Sequence, residues 1–390
     1  MKYVMIIIDG IGDDPIEELS MRTPLEAAFI PNINYIASRG QIGTINTAFN
    51  GFPIESMVCI MGILGYDPKY FYPCGRASFE AMAQGISIGE NDLVFRCNIV
   101  ELNEDENSIK DFTAGLISDT EAKKFLRKVN RPKNTWEIYP GQSYRNLLII
   151  RDAELSADNI NCYPPHMHIG EKINNLKPFL NSLDKNNLIE DLWSFLLKSY
   201  NNNQKRMLWA WSPSKSIEWP SFKELTGLKG AVVCGLDFLK GIAMAGDMEF
   251  ENIPGATGYT DTNYEQKAIY SKKYIENNDF VLVHINATDE LAHQRDYIGK
   301  IKAIEKIDEL IVGPILKELR SKFGDEFRMV ICGDHKTRCK DGKHVGDPVP
   351  YLIYGKDVKP SKEYIFSEKE CGKYNAIESL NFIRENLILK

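Results

Sequence analysis

Short, mostly apolar runs recur along the chain at residues 4–8, 230–234, 280–285, 329–332 and 349–354. Each has the length of a strand buried on both faces, and helical stretches such as 300–319 separate the central ones. That alternation predicts an α/β fold with a mostly parallel sheet flanked by helices. Thr23 followed by Pro24 marks a helix start, with the threonine as cap and the proline at the first helical position. Between residues 92 and 219 the texture changes, and strand candidates 93–100 and 146–150 alternate with polar helices 119–129 and 188–200. The pattern predicts a core domain built from residues 1–90 and 221–390, with a smaller α+β domain, 91–220, inserted in it. Residues 51–85 are rich in glycine, proline and aromatics and read as a loop-dominated surface around one short helix, 57–64.

Composition narrows the function classes. With 390 residues, 43% of them hydrophobic and 26% charged, the chain has the make-up of a soluble folded protein. A net charge of -7 provides no general field for polyanions, so nucleic acid is not an expected partner. The eight cysteines contain no C-x-x-C pair and read as reduced thiols of a cytoplasmic protein. No apolar run approaches the ~20 residues of a membrane span, so no membrane association is expected. Oligomeric state is not legible.

The candidate chemistry sits just past the ends of predicted strands. Asp9 closes the first run, Asp334-His335 follows the 329–332 run, and Asp289 follows the 280–285 run. Ligands of open α/β sheets bind outside the carboxyl ends of the strands, so these positions point to one crevice. Asp289 and His293 stand at i and i+4, on one face of a helix, where both can close on one ion. His344 follows His335 by nine residues. With Ser56 they make seven candidate ligands for two divalent ions. None is a cysteine, which favours Mn²⁺, Mg²⁺ or Zn²⁺ in a working site over a structural zinc. Ser56 is also the candidate nucleophile, because coordination to a cation lowers the pKa of its hydroxyl. Its other reading is as the cap of the helix that follows; both are compatible.

Taken in order, Asp9-Gly10, Thr23-Pro24, Pro31-Asn32, Asp67-Pro68, Arg96, Thr262-Asn263, Asp289 with His293, Gly333-Asp334-His335 and His344 with Asp347-Pro348 give the chain its family likeness. It resembles the cofactor-independent phosphoglycerate mutases of archaeal type, in the alkaline phosphatase superfamily, over nearly its whole length. The resemblance implies an isomerase of glycolysis that interconverts 2- and 3-phosphoglycerate through a phosphoserine at Ser56, without 2,3-bisphosphoglycerate. It implies one ion held by Asp9, Ser56, Asp334 and His335, and another by Asp289, His293 and His344, with Mn²⁺ the expected metal. Arg76, Arg96, Arg145 and Lys267 stand in the segments that contact a small phosphorylated hydroxy acid, and His166 matches a recurring histidine. The inserted domain is then the part that closes over the substrate. Two departures bear on the substrate. Met57 stands where the family has an acidic residue, and Lys336 and Arg338 add positive charge beside the metals. The alternatives are a phosphotransferase or phosphatase of the same superfamily, such as a homoserine kinase-like enzyme, and a non-catalytic binding homologue.

Overall fold

The computed structural model describes residues 1–104, 107–153, 155–181 and 187–388. They form two compact units, Met1–Phe71 with Trp219–Lys390, and Tyr72–Glu218. The outgoing boundary falls earlier than the expected residue 91. Its cause is the helix Ala77–Ala83, whose Ala77 and Ala81 pack on Val94, Leu147 and Ile149 of the second unit. Ser214 Oγ also donates to Gly75 O, fastening the segment that precedes the helix.

The first unit is built on a seven-stranded sheet in the order Gly230–Val233, Phe280–Ile285, Lys2–Ile8, Phe327–Cys332, Val349–Gly355, Gln41–Asn46 and Ile377–Glu378. The first four strands are mutually parallel, and Val349–Gly355 runs antiparallel to both its neighbours. This is the mostly parallel α/β arrangement that the apolar runs predict. Every residue of Phe280–Ile285 and Phe327–Cys332 is buried. Burying a side chain such as Ile6, Val283 or Ile331 contributes about 1.5–3 kcal/mol, and a slip by one residue would exchange two differently packed faces and draw the polar residues beyond the strand ends into the core, so it is disfavoured.

That pinned register positions the chemistry. Ile7 is opposite both His284 and Cys332 on its two neighbouring strands. Alternation then puts Asp9 and Asp334, each two residues further on, at the same height and on the same face. Asp9 N donates to Ile285 O at 2.9 Å, which carries the ladder through the aspartate itself.

The region 51–85 differs from the loop-dominated surface expected of it. It holds three helices, Ser56–Ile63, Pro68–Phe71 and Ala77–Ala83, and in the first of them every residue from Met57 to Ile63 is buried. Gly62 permits this burial, because a Cβ there would lie 2.5 Å from the ring of Phe49.

The second unit has its own core under a five-stranded antiparallel sheet. Leu93–Leu102 pairs with Ile109–Asp111, Arg145–Ile150 and Arg206–Ser214, and Trp136–Pro140 lies beyond Arg145–Ile150. Helices Asp119–Leu126 and Leu188–Lys198 contribute Phe125, Leu192 and Phe195 to that core. Among the described residues no helix is long and apolar enough to cross a membrane. The eight cysteines are all free thiols.

Candidate active site

Two turns and two helix ends bring the charged residues together in the first unit. Gly10, at φ 61°, turns the chain directly after Asp9, and a Cβ there would meet Thr337 Oγ1 at 2.6 Å and Asp289 Oδ1 at 2.8 Å. Asp334 Oδ1 accepts from Gly10 N at 3.1 Å and from His335 N at 2.9 Å, which locks that carboxylate. Thr288 Oγ1 donates to Asp9 O. Asp289 and His293 lie on the helix Ala287–His293 with Oδ2 and Nε2 3.2 Å apart, as their spacing predicts.

Ser56 is the first residue of its helix, and the cap position belongs to Glu55, which makes no side-chain capping bond. The serine therefore does not serve as the cap. Its Oγ lies 3.1 Å from Asp9 Oδ2 and 3.1 Å from His335 Nε2.

Three imidazoles are oriented by what their Nδ1 atoms meet. His293 Nδ1 is 2.8 Å from Gly342 O, and His344 Nδ1 is 2.8 Å from Ile54 O. A carbonyl only accepts, so each Nδ1 carries a proton and donates it. Thr337 Oγ1 donates to Asp289 Oδ1 at 2.6 Å, so its lone pairs are left to accept from His335 Nδ1 at 3.0 Å. All three Nε2 atoms face the carboxylates, where each donates when its ring is protonated and offers a lone pair when the ring is neutral.

The spacing of these atoms matches donors that share an ion. His335 Nε2 is 3.3 Å from Asp9 Oδ1 and 3.5 Å from Asp334 Oδ2. His344 Nε2 is 3.3 Å from Asp289 Oδ1 and 3.1 Å from His293 Nε2. Donors bound at roughly 2.1 Å lie about 3.0–3.4 Å apart along the edges of an octahedron or tetrahedron. The charge balance agrees, because three aspartates converge here. Burial, reinforced by the charges of Asp334 and Asp289, holds the Asp9 carboxyl well above the usual range. For Asp289 burial opposes ionisation, but hydrogen bonds from His293 and His344 outweigh it and hold the carboxyl well below that range. The same bond, from the other side, raises His293 to about 9. Asp334 Oδ2 is buried with no hydrogen-bond partner, a cost that a cation removes. By these tests the residues fit a pair of divalent ions.

The structure gathers Asp9, His284 and Asp334 into one group of candidate donors and Asp289, His335 and His344 into another; Ser56 and His335 also adjoin Asp9, and His293 adjoins Asp289. It adds His284, which in sequence is one polar residue inside an otherwise apolar strand run. Its ring is fully buried, with Nε2 3.1 Å from Asp9 Oδ2. Burial pushes its pKa down to about 3, so the ring is neutral. The available signal was a polar side chain one residue before the end of a strand otherwise made of buried residues.

Lys267 needs correction as a substrate contact. It is 1% exposed, its Nζ donates to His284 O at 3.0 Å, and burial lowers its pKa to about 8. It supports the strand instead of presenting a charge to solvent. The charges expected at Lys336 and Arg338 are likewise neutralised by partners. Lys336 pairs with Asp14 at 2.5 Å and Asp347 at 3.1 Å, and Arg338 Nε donates to Asp341 at 3.2 Å. Met57, in place of an acidic residue, packs into the interior at 1% exposure.

In the second unit Arg96 Nε donates to Glu80 Oε2 at 3.1 Å, and its guanidinium lies 4.4 Å over the Trp211 ring. Arg76 shares Glu80, at 3.7 Å. Burial lowers the Arg96 pKa to about 10, helped by the charges of Arg76 and Arg145. Arg145 is opposite Asn98 in the register, and the His166 ring packs on Trp211 at 5.4 Å. Two guanidinium groups therefore share the Glu80 carboxylate, with the charge of Arg145 felt at Arg96, an excess of positive charge that favours an anion nearby.

Comparison with known proteins adds to this geometry. The family model described as 2,3-bisphosphoglycerate-independent phosphoglycerate mutase matches residues 37–205. A protein of that name from Methanosarcina barkeri is 37% identical over 97% of this chain and 96% of its own. Another, from Methanothermobacter thermautotrophicus, is 34% identical over 96% of this chain and 95% of its own. Among solved structures, a Pyrococcus horikoshii protein superposes with a TM-score of 0.78 at 27% identity, covering 98% of this chain and 96% of that one. A cofactor-independent phosphoglycerate mutase from Thermoplasma acidophilum gives a TM-score of 0.66 at 28% identity, over 99% and 98% of the two chains.

Proposed function

The chain belongs to the 2,3-bisphosphoglycerate-independent phosphoglycerate mutase family, and from that premise we propose that it interconverts 2- and 3-phosphoglycerate through a phosphoserine at Ser56. The observation that carries the reading is the Ser56 hydroxyl, 3.1 Å from both Asp9 Oδ2 and His335 Nε2 and not engaged in capping its own helix.

Asp9, Ser56, Asp334 and His335 would hold one divalent ion and Asp289, His293 and His344 the other; the donor set suits Mn²⁺, Mg²⁺ or Zn²⁺, and the family resemblance implies Mn²⁺. When bound, the ions lower the pKa of the serine hydroxyl and neutralise charge on the phosphoryl group. Ser56 Oγ attacks phosphorus, the P–O bond to the substrate breaks, and the glycerate oxygen leaves with a proton. The first N–H of the Ser56–Ile63 helix with an intrahelical acceptor is that of Cys59, so the N–H groups before it are open to phosphoryl oxygens. Arg76, Arg96 and Arg145 hold the substrate carboxylate by paired hydrogen bonds, so that glycerate is retained until its other hydroxyl takes the phosphoryl group back from Ser56. These three arginines belong to the Tyr72–Glu218 unit, and a phosphoserine persists only where water is kept from it. The activity places the enzyme in glycolysis, and its eight free thiols fit the cytoplasm.

The test is an enolase-coupled assay of 3-phosphoglycerate conversion with Mn²⁺, with Mg²⁺ and after chelation. Turnover that depends on the added ion is expected. Ser56→Ala is expected to lose at least about 10³-fold in kcat while still binding metal. Full activity in that variant, or phosphate release without isomerisation in the wild type, rejects the reading.

A further inference from the structure

We propose that His284 is a direct ligand of the ion held between Asp9 and Asp334, a fifth protein donor beside Asp9, Ser56, Asp334 and His335. The inference rests on the two-ion reading above and extends it to a residue with no role there.

Three observations carry it. First, the strand register sets His284 opposite Ile7, one step below the row of Asp9 and Asp334 and on the same face, so its ring extends toward them. Second, the Nε2 of His284 lies 3.1 Å from Asp9 Oδ2, yet neither ring nitrogen makes a hydrogen bond, although the residue is fully buried. A histidine placed simply to hold the aspartate would aim an N–H along that contact. Two donors at this separation without a hydrogen bond have the geometry of neighbours around a shared centre. Third, the other atom left without a partner here, Asp334 Oδ2, belongs to the same cluster as Asp9 and His284. One cation satisfies both vacant lone pairs together and also offsets the negative charge that Asp9 and Asp334 bring into the buried site, which a neutral water does not.

The chemistry has a consequence for the metal. With His284 the Asp9 site offers two imidazole nitrogens in place of one. Nitrogen donors favour Mn²⁺, Co²⁺ or Zn²⁺ over Mg²⁺, so this residue biases the choice of ion.

The experiment is a crystal structure of the Mn²⁺-loaded wild-type protein, paired with calorimetric Mn²⁺ titration of wild type and His284→Asn. A His284 nitrogen about 2.2 Å from the ion is expected. In the titration one of two sites should weaken by at least about 10-fold in His284→Asn, since losing even an outer-shell partner commonly costs 10–100-fold. His284→Gln checks that any loss is not misfolding, its circular dichroism and second-site affinity being expected to match wild type. A nitrogen more than 3 Å from the ion, or an unaltered Mn²⁺ affinity in both variants, overturns the inference while leaving the mutase reading untouched. Absence of phosphoglycerate turnover with Mn²⁺ bound by His284 rejects the mutase reading and upholds this one.

Discussion

Three histidines give an Nδ1–H to an oxygen and turn Nε2 toward the carboxylates, and this arrangement is set by single hydrogen bonds to Gly342 O, Ile54 O and Thr337 Oγ1. Removing one such partner should loosen metal binding without removing a ligand. Elsewhere at the residue scale, Glu368 accepts from Thr23 Oγ1 at 2.7 Å and from Asp13 N at 3.2 Å, and burial raises its pKa to about 7. The folded state then holds a proton that the unfolded chain has released at any pH between about 4.5 and 7. Stability contributed by this group falls as pH rises through that window and is level above it. Compared with Glu368→Gln, the wild type should lose roughly 1–3 kcal/mol between pH 5 and pH 8, measured by urea unfolding at each pH. No change in the difference between the two proteins contradicts the assignment. Arg96→Lys keeps the charge but loses the planar fork and the stack on Trp211, and kcat/KM for 3-phosphoglycerate should drop at least about 10-fold with the fold unaltered.

At the scale of elements, the segments that carry ligands are tied to one another from beneath. Lys300, fully buried on the helix Tyr297–Ile307, donates from Nζ to Gly12 O at 3.1 Å, to Thr337 O at 2.9 Å and to Asp13 Oδ2 at 2.9 Å. Asp13 in turn accepts from Cys339 N. One ammonium thus joins the turn after Asp9 to the short strand Lys336–Arg338 after His335. Lys300→Met should destabilise the protein by about 3–5 kcal/mol, because it leaves the Asp13 charge buried and unpaired. Pairing it with Asp13→Asn should restore part of that loss, and denaturant unfolding of the three variants measures both. Additive losses in the double variant would argue against a shared network. Metal affinity should fall with Lys300→Met as well, since Thr337 orients both His335 and Asp289.

On the scale of the whole molecule, all the proposed metal ligands lie in the unit Met1–Phe71 with Trp219–Lys390, while Tyr72–Glu218 has a separate core of its own. Ligands that bind only the folded form stabilise the unit that holds them. Chelation should therefore lower the unfolding temperature of the first unit and leave that of the second in place. At an ion concentration about 100 times Kd the linkage is worth about 2.7 kcal/mol for each ion, a downward shift of roughly 5–10 °C per ion removed for a unit of this size. Differential scanning calorimetry with and without EDTA reads it, and equal shifts of both transitions would contradict the division of labour.

Local chemistry and periodicity were readable from the chain alone. The apolar runs predicted the strands because a strand buried on both faces has no polar alternation to hide it, and Phe280–Ile285 was expected with its observed ends. Asp289 with His293, and Asp334 with His335, were legible because one helical turn or one peptide bond fixes each pair. Burial and partner choice depend instead on residues far apart in sequence, and there tertiary structure decided. Ser56 turns to Asp9 and His335 in place of its own helix end, and Lys267 lies under a strand instead of facing solvent. Lys336 and Arg338 find carboxylates, and the glycine-rich stretch after residue 51 packs as a buried helix. His284 reads as one more strand residue until parallel pairing sets Lys2–Ile8 beside it and brings an aspartate within reach of its ring.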